Sequence, residues 1–302
     1  MSDIQSLNAD RVIFNFSADC LPVLEVDSGS TVAVETRDAY DRCFKRDPDI
    51  QPYLRDRKSR PGNPATGPVF VRGLRPGDGL DVAIERISLG RTGYVAAFPG
   101  IGVLGAEGIV PRLAAFEVRP DGLWYEGQRR IPFRPNVGTI GVAPAAGSIP
   151  TLEIGHHGGN LDCNDVTEGT TLHLPVFVPG GLLALGDVHA SMGFGEVYSG
   201  VNIDAVVTAR VDRVPDAGWE RPWFETPAEV MTLGVGARVE DAIEEATRGM
   251  TELLQRRVGA TLTEAIVLTG AACDIRLGQA SKFGVNVSAY AVFPKAALAE
   301  PP

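Results

Sequence analysis

The sequence predicts a mainly β protein with an α/β C-terminal portion, and three observations carry that expectation. The 35 glycines and 22 prolines among 302 residues exceed the roughly 12 % that average usage gives the two together. They demand many turns and argue against a coiled coil or a helical bundle. Short apolar runs alternate with period two through the N-terminal forty residues, as half-buried strands require. A strong helical period emerges only late, after residue 238. The expected division is therefore 1–215, mainly β and carrying the site motifs, and 216–302, an α/β portion packed on it.

In chain order, Val12–Phe16, Val23–Val26 and Thr31–Thr36 alternate as strands, with Ser28-Gly29-Ser30 as a turn. Residues Asp41 to Arg60 hold seven basic and four acidic side chains with Pro48 and Pro52 among them, which describes a long exposed loop or lid. Val69–Val71 and Leu80–Ile84 flank Pro76-Gly77-Asp78-Gly79 and read as a hairpin. Residues 93 to 200 are dense in glycine and include a strand at Leu172–Val178. Val239, Ala242, Ile243, Ala246, Met250, Leu253 and Leu254 follow helical spacing, with acids early, Arg256 and Arg257 late, and Gly259 to end it. Thr261-Leu262-Thr263-Glu264 is a capping box that starts a second helix, running to Gly270. Val285–Val292 alternates as a last strand, and Ala296–Pro302 is a tail.

The net charge of −10 repels phosphate backbones and excludes nucleic acid as a natural partner. Cys20, Cys43, Cys163 and Cys273 form no CxxC pair, so neither a thiolate zinc site nor a disulfide framework is expected. The first residues carry Asp3 and no basic region, and no apolar run approaches the roughly 18 residues that span a bilayer. A cytoplasmic protein with no membrane partner follows.

The chemistry concentrates in the middle. All four histidines, His156, His157, His173 and His189, fall within 34 positions that also hold Asp162, Asp165, Asp187 and Glu196. Imidazole nitrogen and carboxylate oxygen are the donors a borderline divalent ion prefers. In Gly155–Asp162 the glycines allow close backbone approach while His157, Asn160 and Asp162 can face one pocket. The apolar stretch Gly181–Leu185 can deliver Asp187 and His189, two positions apart, to one face of a strand, and Glu196 returns on the next segment as a general base. His173, between two leucines, reads as a hydrogen-bonded structural residue, and His156 as exposed. Cys163 offers a thiol nucleophile as a second enzyme reading, although buried inert cysteine is commoner. Gly100–Gly105 lacks the strand, helix and acid of a dinucleotide fold.

These residues also carry a resemblance. Gly138–Pro144, His157-Gly158-Gly159-Asn160-Leu161-Asp162, Leu174-Pro175-Val176, Gly186–Ala190 and Gly195-Glu196 are similar, in order and spacing, to the signature of the acetamidase/formamidase family. Glu35–Asp38, Asn63–Pro68, Pro76–Asp78 and Phe293–Lys295 extend the likeness along the chain. The resemblance implies a β-sandwich core with an α/β addition and hydrolysis of short amides to carboxylate and ammonia. It also implies a divalent metal cofactor, Zn2+, and a homo-oligomer, and the family includes a γ-lactam hydrolase. Carried to this chain, it implies Asp162, Asp187 and His189 as metal ligands, Glu196 as base and Asn160 polarising the carbonyl. His157, Gly158, Gly159, Met192 and Phe194 are then expected to border the substrate. Met192 and Phe194 stand where the family has Gln and Asp, so a substrate larger or less polar than formamide is expected. A reading from another class, a metal- or ligand-binding β-sandwich without catalysis, would treat those two residues as signs of a decayed site.

Overall fold

The computed structural model describes residues 4–280 and 286–298. Alternating runs become strands that sort into two large sheets, because each run has one apolar face to bury. The wider sheet has nine strands in the order Gln5–Leu7, Ser30–Thr36, Ala205–Val214, Gly79–Leu89, Thr171–Pro175, Trp223–Glu225, Glu229–Gly236, Val287–Pro294 and Asp274–Leu277. The other has seven, with Ile154–Gly155, Gly158–Asn160, Asn136–Gly141, Leu183–His189, Ala65–Val71 and Val12–Ile13 in sequence, and Leu24–Val26 also paired to Ala65–Val71. One continuous apolar core lies between them: Val32, Val82, Leu172 and Val207 from the first meet Val69, Val137, Ile140 and Leu185 from the second. The protein is mainly β, as expected. The nine-stranded sheet runs on past residue 215, since Leu172 pairs with Phe224.

The late helices form where the apolar spacing and caps place them. Helix α3, in chain order the third, spans Val239–Val258 and closes on Gly259 at φ 67°; α4 spans Leu262–Ala272 behind the Thr261/Glu264 capping box. Ala242, Ala246, Met250 and Leu254 bury one face of α3 against Val230, Ala289, Ala291 and Phe293 of the wide sheet. Gly234 is required there, because a Cβ would run into the Ala242 carbonyl and the Ala246 backbone. Truncating a residue such as Leu254 to alanine would cost about 2–5 kcal/mol. No helix among the described residues is long and apolar enough to cross a membrane.

Three local expectations need correction. Residues 41–60 are not a loop: they form α1, Cys43–Arg46, and α2, Ile50–Asp56. Asp49 caps α2 by accepting from Gln51 N at 2.9 Å, and Pro52 falls in the first turn, where a missing N–H costs nothing. Phe44 and Ile50 anchor the pair in a separate aromatic cluster with Tyr40, Tyr53, Tyr94 and Phe98. Second, Ala65–Val71 and Gly79–Leu89 are no hairpin, since the chain passes from one sheet to the other between them. The turn is real, with Asp78 held by Arg213 at 2.7 Å, but a turn does not choose its partner strand. Third, the strand expected to Val178 stops at Pro175, which has no N–H to continue the ladder. The last strand is Val287–Pro294; Val285 and residues 299–302 of the tail lie outside the described residues.

Candidate active site

Three adjoining strands make a floor. Gly158–Asn160 pairs with Asn136–Gly141, setting Asn160 opposite Thr139, and Asn136–Gly141 pairs with Leu183–His189, setting Asn136 opposite His189. The glycine-rich spelling of these strands has a steric reason at Gly138. A Cβ there would lie 2.8 Å from Asp162 Oδ1, 2.9 Å from His189 Cε1 and 2.6 Å from the Asp187 carbonyl oxygen. Asp162 and His189 thus converge over a gap that only glycine leaves.

Asn160, Asp162, Asp187, His189 and Glu196 all line one cavity of about 430 Å3. Ligand atoms of Asp162, His189 and Glu196 lie within 4.8 Å of one another. The backbone is bent to achieve this. Nine non-glycine residues have a left-handed φ among the described residues, and five of them, Asp41, Asn63, Asp162, Asp187 and Glu196, line that cavity. Such conformations cost on the order of 1–3 kcal/mol each and persist where surrounding structure enforces them; Asp and Asn bear them best. For Glu196 the enforcement is visible in Gly195, whose N–H donates to the Leu277 carbonyl at 2.9 Å and whose carbonyl accepts from Ala280 N.

Side-chain amides fix the floor. Asn136 Nδ2 donates to the Arg134 carbonyl, so its Oδ1 faces His189 Nδ1 at 3.1 Å and accepts that N–H. His189 then presents the lone pair of Nε2 to the cavity side, 3.4 Å from Asp187 Oδ1. Asn63 Nδ2 donates to Asn160 Oδ1 at 2.8 Å and to Asp187 Oδ2 at 2.6 Å, and Thr139 Oγ1 also donates to Asn160 Oδ1. Gln279 Nε2 donates to Asp162 Oδ2 at 2.6 Å.

The electrostatics are severe. Burial, then the charge of Asp187, pushes the Asp162 carboxyl well above the usual carboxylate range, and burial also raises Asp187. Burial lowers His189, which keeps the ring neutral. No Arg or Lys of the described residues pairs with Asp162 or Asp187. Asp162 Oδ1 and Asp187 Oδ1 are buried without a hydrogen-bond donor. Buried carboxylates in that state must be protonated or meet a cation. A neutral imidazole, carboxylates on a fixed amide frame and two orphaned oxygens are donors that fit a divalent ion.

Asp162, Asp187 and His189, read from the sequence as a metal set, all line this cavity, and Glu196 joins them there. Asp162, His189 and Glu196 offer ligand atoms within 4.8 Å of one another, and Asp187 Oδ1 lies beside them, 3.4 Å from His189 Nε2. Other expected residues lie off the cavity. Phe194 is 40 % exposed and packs between the Arg134 and Arg276 guanidinium groups. Met192 is buried, and its carbonyl accepts from Asn164 Nδ2. Gly158 and Gly159 are paired backbone of the floor. His157 lies beneath it, edge-on to Phe16 at 5.0 Å, its pKa pushed down by burial to about 4. Cys163 sits in the apolar core with its thiol pKa pushed up by burial, which leaves no thiolate to attack a substrate. With Met192 and Phe194 away from the cavity, they give no sign of a decayed site. His173 is structural, bonded to Asp81 at 2.7 Å and stacked on Trp223, and His156 is exposed, bonded to Glu245.

Gly138, Thr139, Asn63, Asn136 and Gln279 support the site without having been read as site residues. Gly138 and Asn63 stand inside quoted motifs, but nothing in their type separates a supporting amide from a turn former.

The chain matches the Acetamidase/Formamidase family over residues 5–150 and 142–280. The structure of an acetamidase from Bacillus halodurans superposes with a TM-score of 0.90 at 33 % identity, covering 97 % of this chain and 98 % of that one. An acetamidase from Yersinia enterocolitica superposes at 0.92 and 27 % identity, covering 99 % and 94 %. A formamidase from Methylophilus methylotrophus is 42 % identical over 55 residues, which are 18 % of this chain and only 13 % of that protein.

Proposed function

Because the chain belongs to the acetamidase/formamidase family, we propose that it hydrolyses the C–N bond of a carboxylic amide or lactam in the cavity above the glycine floor. The observation that carries the reading is the convergence of Asp162, His189 and Glu196 within 4.8 Å, beside acids that no Arg or Lys of the described residues neutralises.

Asp162, His189 and Glu196 would hold a divalent ion, zinc by the donor set. Such an ion, when bound, supplies a Lewis acid and brings a water pKa to roughly 7. Asp187 is the proton acceptor. Its Oδ2 is pinned by Asn63 and its Oδ1 has no donor, which leaves Oδ1 placed to accept a proton beside the cation group. This exchanges the roles that the sequence suggests for Asp187 and Glu196. Asn160 has Oδ1 occupied by two donors, which turns Nδ2 into the donor for a developing oxyanion, a contribution of about 3–4 kcal/mol. In the net reaction a water oxygen bonds to the acyl carbon and the C–N bond breaks. The proton taken by Asp187 passes to the leaving nitrogen, giving carboxylate and amine or ammonia.

The test is ammonia release from formamide and acetamide, and ring opening of a γ-lactam, before chelation, after it, and after zinc is restored. Activity that vanishes and returns supports the reading; undiminished turnover by metal-free protein contradicts it. Asp187→Asn should keep the metal and lose turnover, whereas Glu196→Gln should lose the metal. The reverse pattern restores the original roles.

A further inference from the structure

The cavity has a second side that the hydrolytic chemistry does not use. Besides the polar floor, it is lined by Tyr40, Tyr53, Phe98, Ile101 and Leu152, together with Arg57 and Arg60. These come from α1–α2 and its flanks, the 98–101 segment and the loop before Ile154. The rings are mutually packed: Tyr40 and Tyr53 meet edge-on at 5.6 Å, Tyr53 and Phe98 at 6.2 Å, and Arg57 lies 4.7 Å above the Phe98 ring. The Tyr40 hydroxyl is already used, accepting from Ala96 N and Asn202 Nδ2.

The volume decides what this wall is for. A cavity of about 430 Å3 equals about fourteen waters at ~30 Å3 each. Formamide and acetamide have three and four non-hydrogen atoms and would leave most of it filled with water against aromatic surface. An apolar substituent would displace that water, and the volume lies in the range of sites for much larger ligands. Asp41, Asp162, Asp187 and Glu196 line the same space and outnumber the two arginines there, Arg57 and Arg60, so a carboxylate-bearing substituent is disfavoured.

We propose that the α1–α2 strap is a specificity wall, and that the substrates are neutral amides bearing an aromatic or branched apolar group rather than formamide or acetamide. This rests on the amide-hydrolase reading above. The reaction is the same: water adds to the carbonyl carbon, the C–N bond breaks, and ammonia leaves with the proton.

The experiment compares kcat/KM for phenylacetamide, isobutyramide and acetamide in the zinc-loaded wild-type protein. Even one methylene in a fitting apolar pocket discriminates by roughly 10- to 200-fold, so phenylacetamide should exceed acetamide by at least tenfold. Tyr53→Ala and Ile101→Trp, one emptying the wall and one filling the cavity, should each lower the phenylacetamide-to-acetamide ratio by fivefold or more. Binding of phenylacetamide and acetamide to the Asp187→Asn protein by calorimetry gives an independent readout. Turnover of acetamide at or above phenylacetamide overturns the wall and leaves amide hydrolysis standing. Preferential binding of phenylacetamide with no amide hydrolysed upholds the wall and removes the hydrolase reading. Neither turnover nor binding removes both.

Discussion

The floor and the wall of the cavity are built on opposite principles. The floor is polar, fully buried and strained: Asp162, Asp187 and Glu196 have left-handed backbones, and each stands on paired strands or a loop tied to one. The wall is apolar and lies outside both large sheets, held by Phe44 and Ile50 in a small cluster of its own. Groups that must stay fixed while charge develops sit on or beside paired strands of a large sheet, and the proposed selecting groups sit on short helices and loops outside both. Substitutions should therefore separate into two classes.

The largest effect is expected on the floor. Asp162→Asn replaces a charged oxygen of the cation group by a neutral amide and should lower kcat/KM by about 10^2–10^3-fold, the scale of losing one fixed electrostatic contact; circular dichroism should be unchanged. A tenfold loss or less would break the distinction. Gly138→Ala should cost about 10–100-fold in activity or metal affinity, the range for changes just outside the ligands. A Cβ there would meet the Asp187 carbonyl oxygen as well as Asp162 and His189, so the effect is displacement of the Asp187–His189 strand together with both side chains, visible as weaker zinc binding in a titration.

Phe44→Ala tests the wall. Phe44 is 2 % exposed, and its truncation should cost about 3–5 kcal/mol, spent on the strap rather than the sandwich. Limited trypsin digestion should then cut among Arg46, Arg55, Arg57 and Lys58 while the protein keeps its metal. Loss of metal along with the strap would show that floor and wall are one cooperative unit.

The last effect concerns pH. Burial, then the neighbouring Asp204, lifts Asp38 to about 7, against the backbone N–H groups of Tyr40 and Arg42 that lower it. A raised carboxyl pKa means the native state holds the proton more tightly, so its contribution is full below about pH 4 and is lost as pH rises through 7. Asp38→Asn keeps the acceptor and cannot ionise. It should match wild type in thermal midpoint near pH 4 and become the more stable of the two by a growing margin as pH rises, reaching up to about 4 kcal/mol at pH 8.5. A gap that widens towards acid would contradict this.

The floor was legible because Asp, His and glycine are conspicuous inside apolar strands, and because Asp187 and His189, two apart after Gly181–Leu185, must share a face. The wall was hidden: Phe44, Ile50 and Tyr53 are separated by charges and prolines that read as loop, and only packing against Phe98 reveals a surface. Met192 and Phe194 show the converse error. Their apolar character suggested a changed pocket, but residue type says nothing of direction, and Phe194 turns out to Arg134 and Arg276. The hairpin expectation failed likewise, since turn residues specify a reversal and not the sheet that receives the next strand. Asn63, Asn136 and Gln279 act through hydrogen bonds to residues 53 to 124 positions away, for which sequence spacing has no signature.

The central claim is that one cation is held jointly by Asp162, His189 and Glu196. X-ray absorption at the zinc edge of the loaded protein tests it most directly. The account predicts one zinc per chain in a nitrogen and oxygen environment containing a single imidazole, lost in His189→Ala. Sulfur among the ligands, or a zinc environment unchanged by His189→Ala, would contradict it.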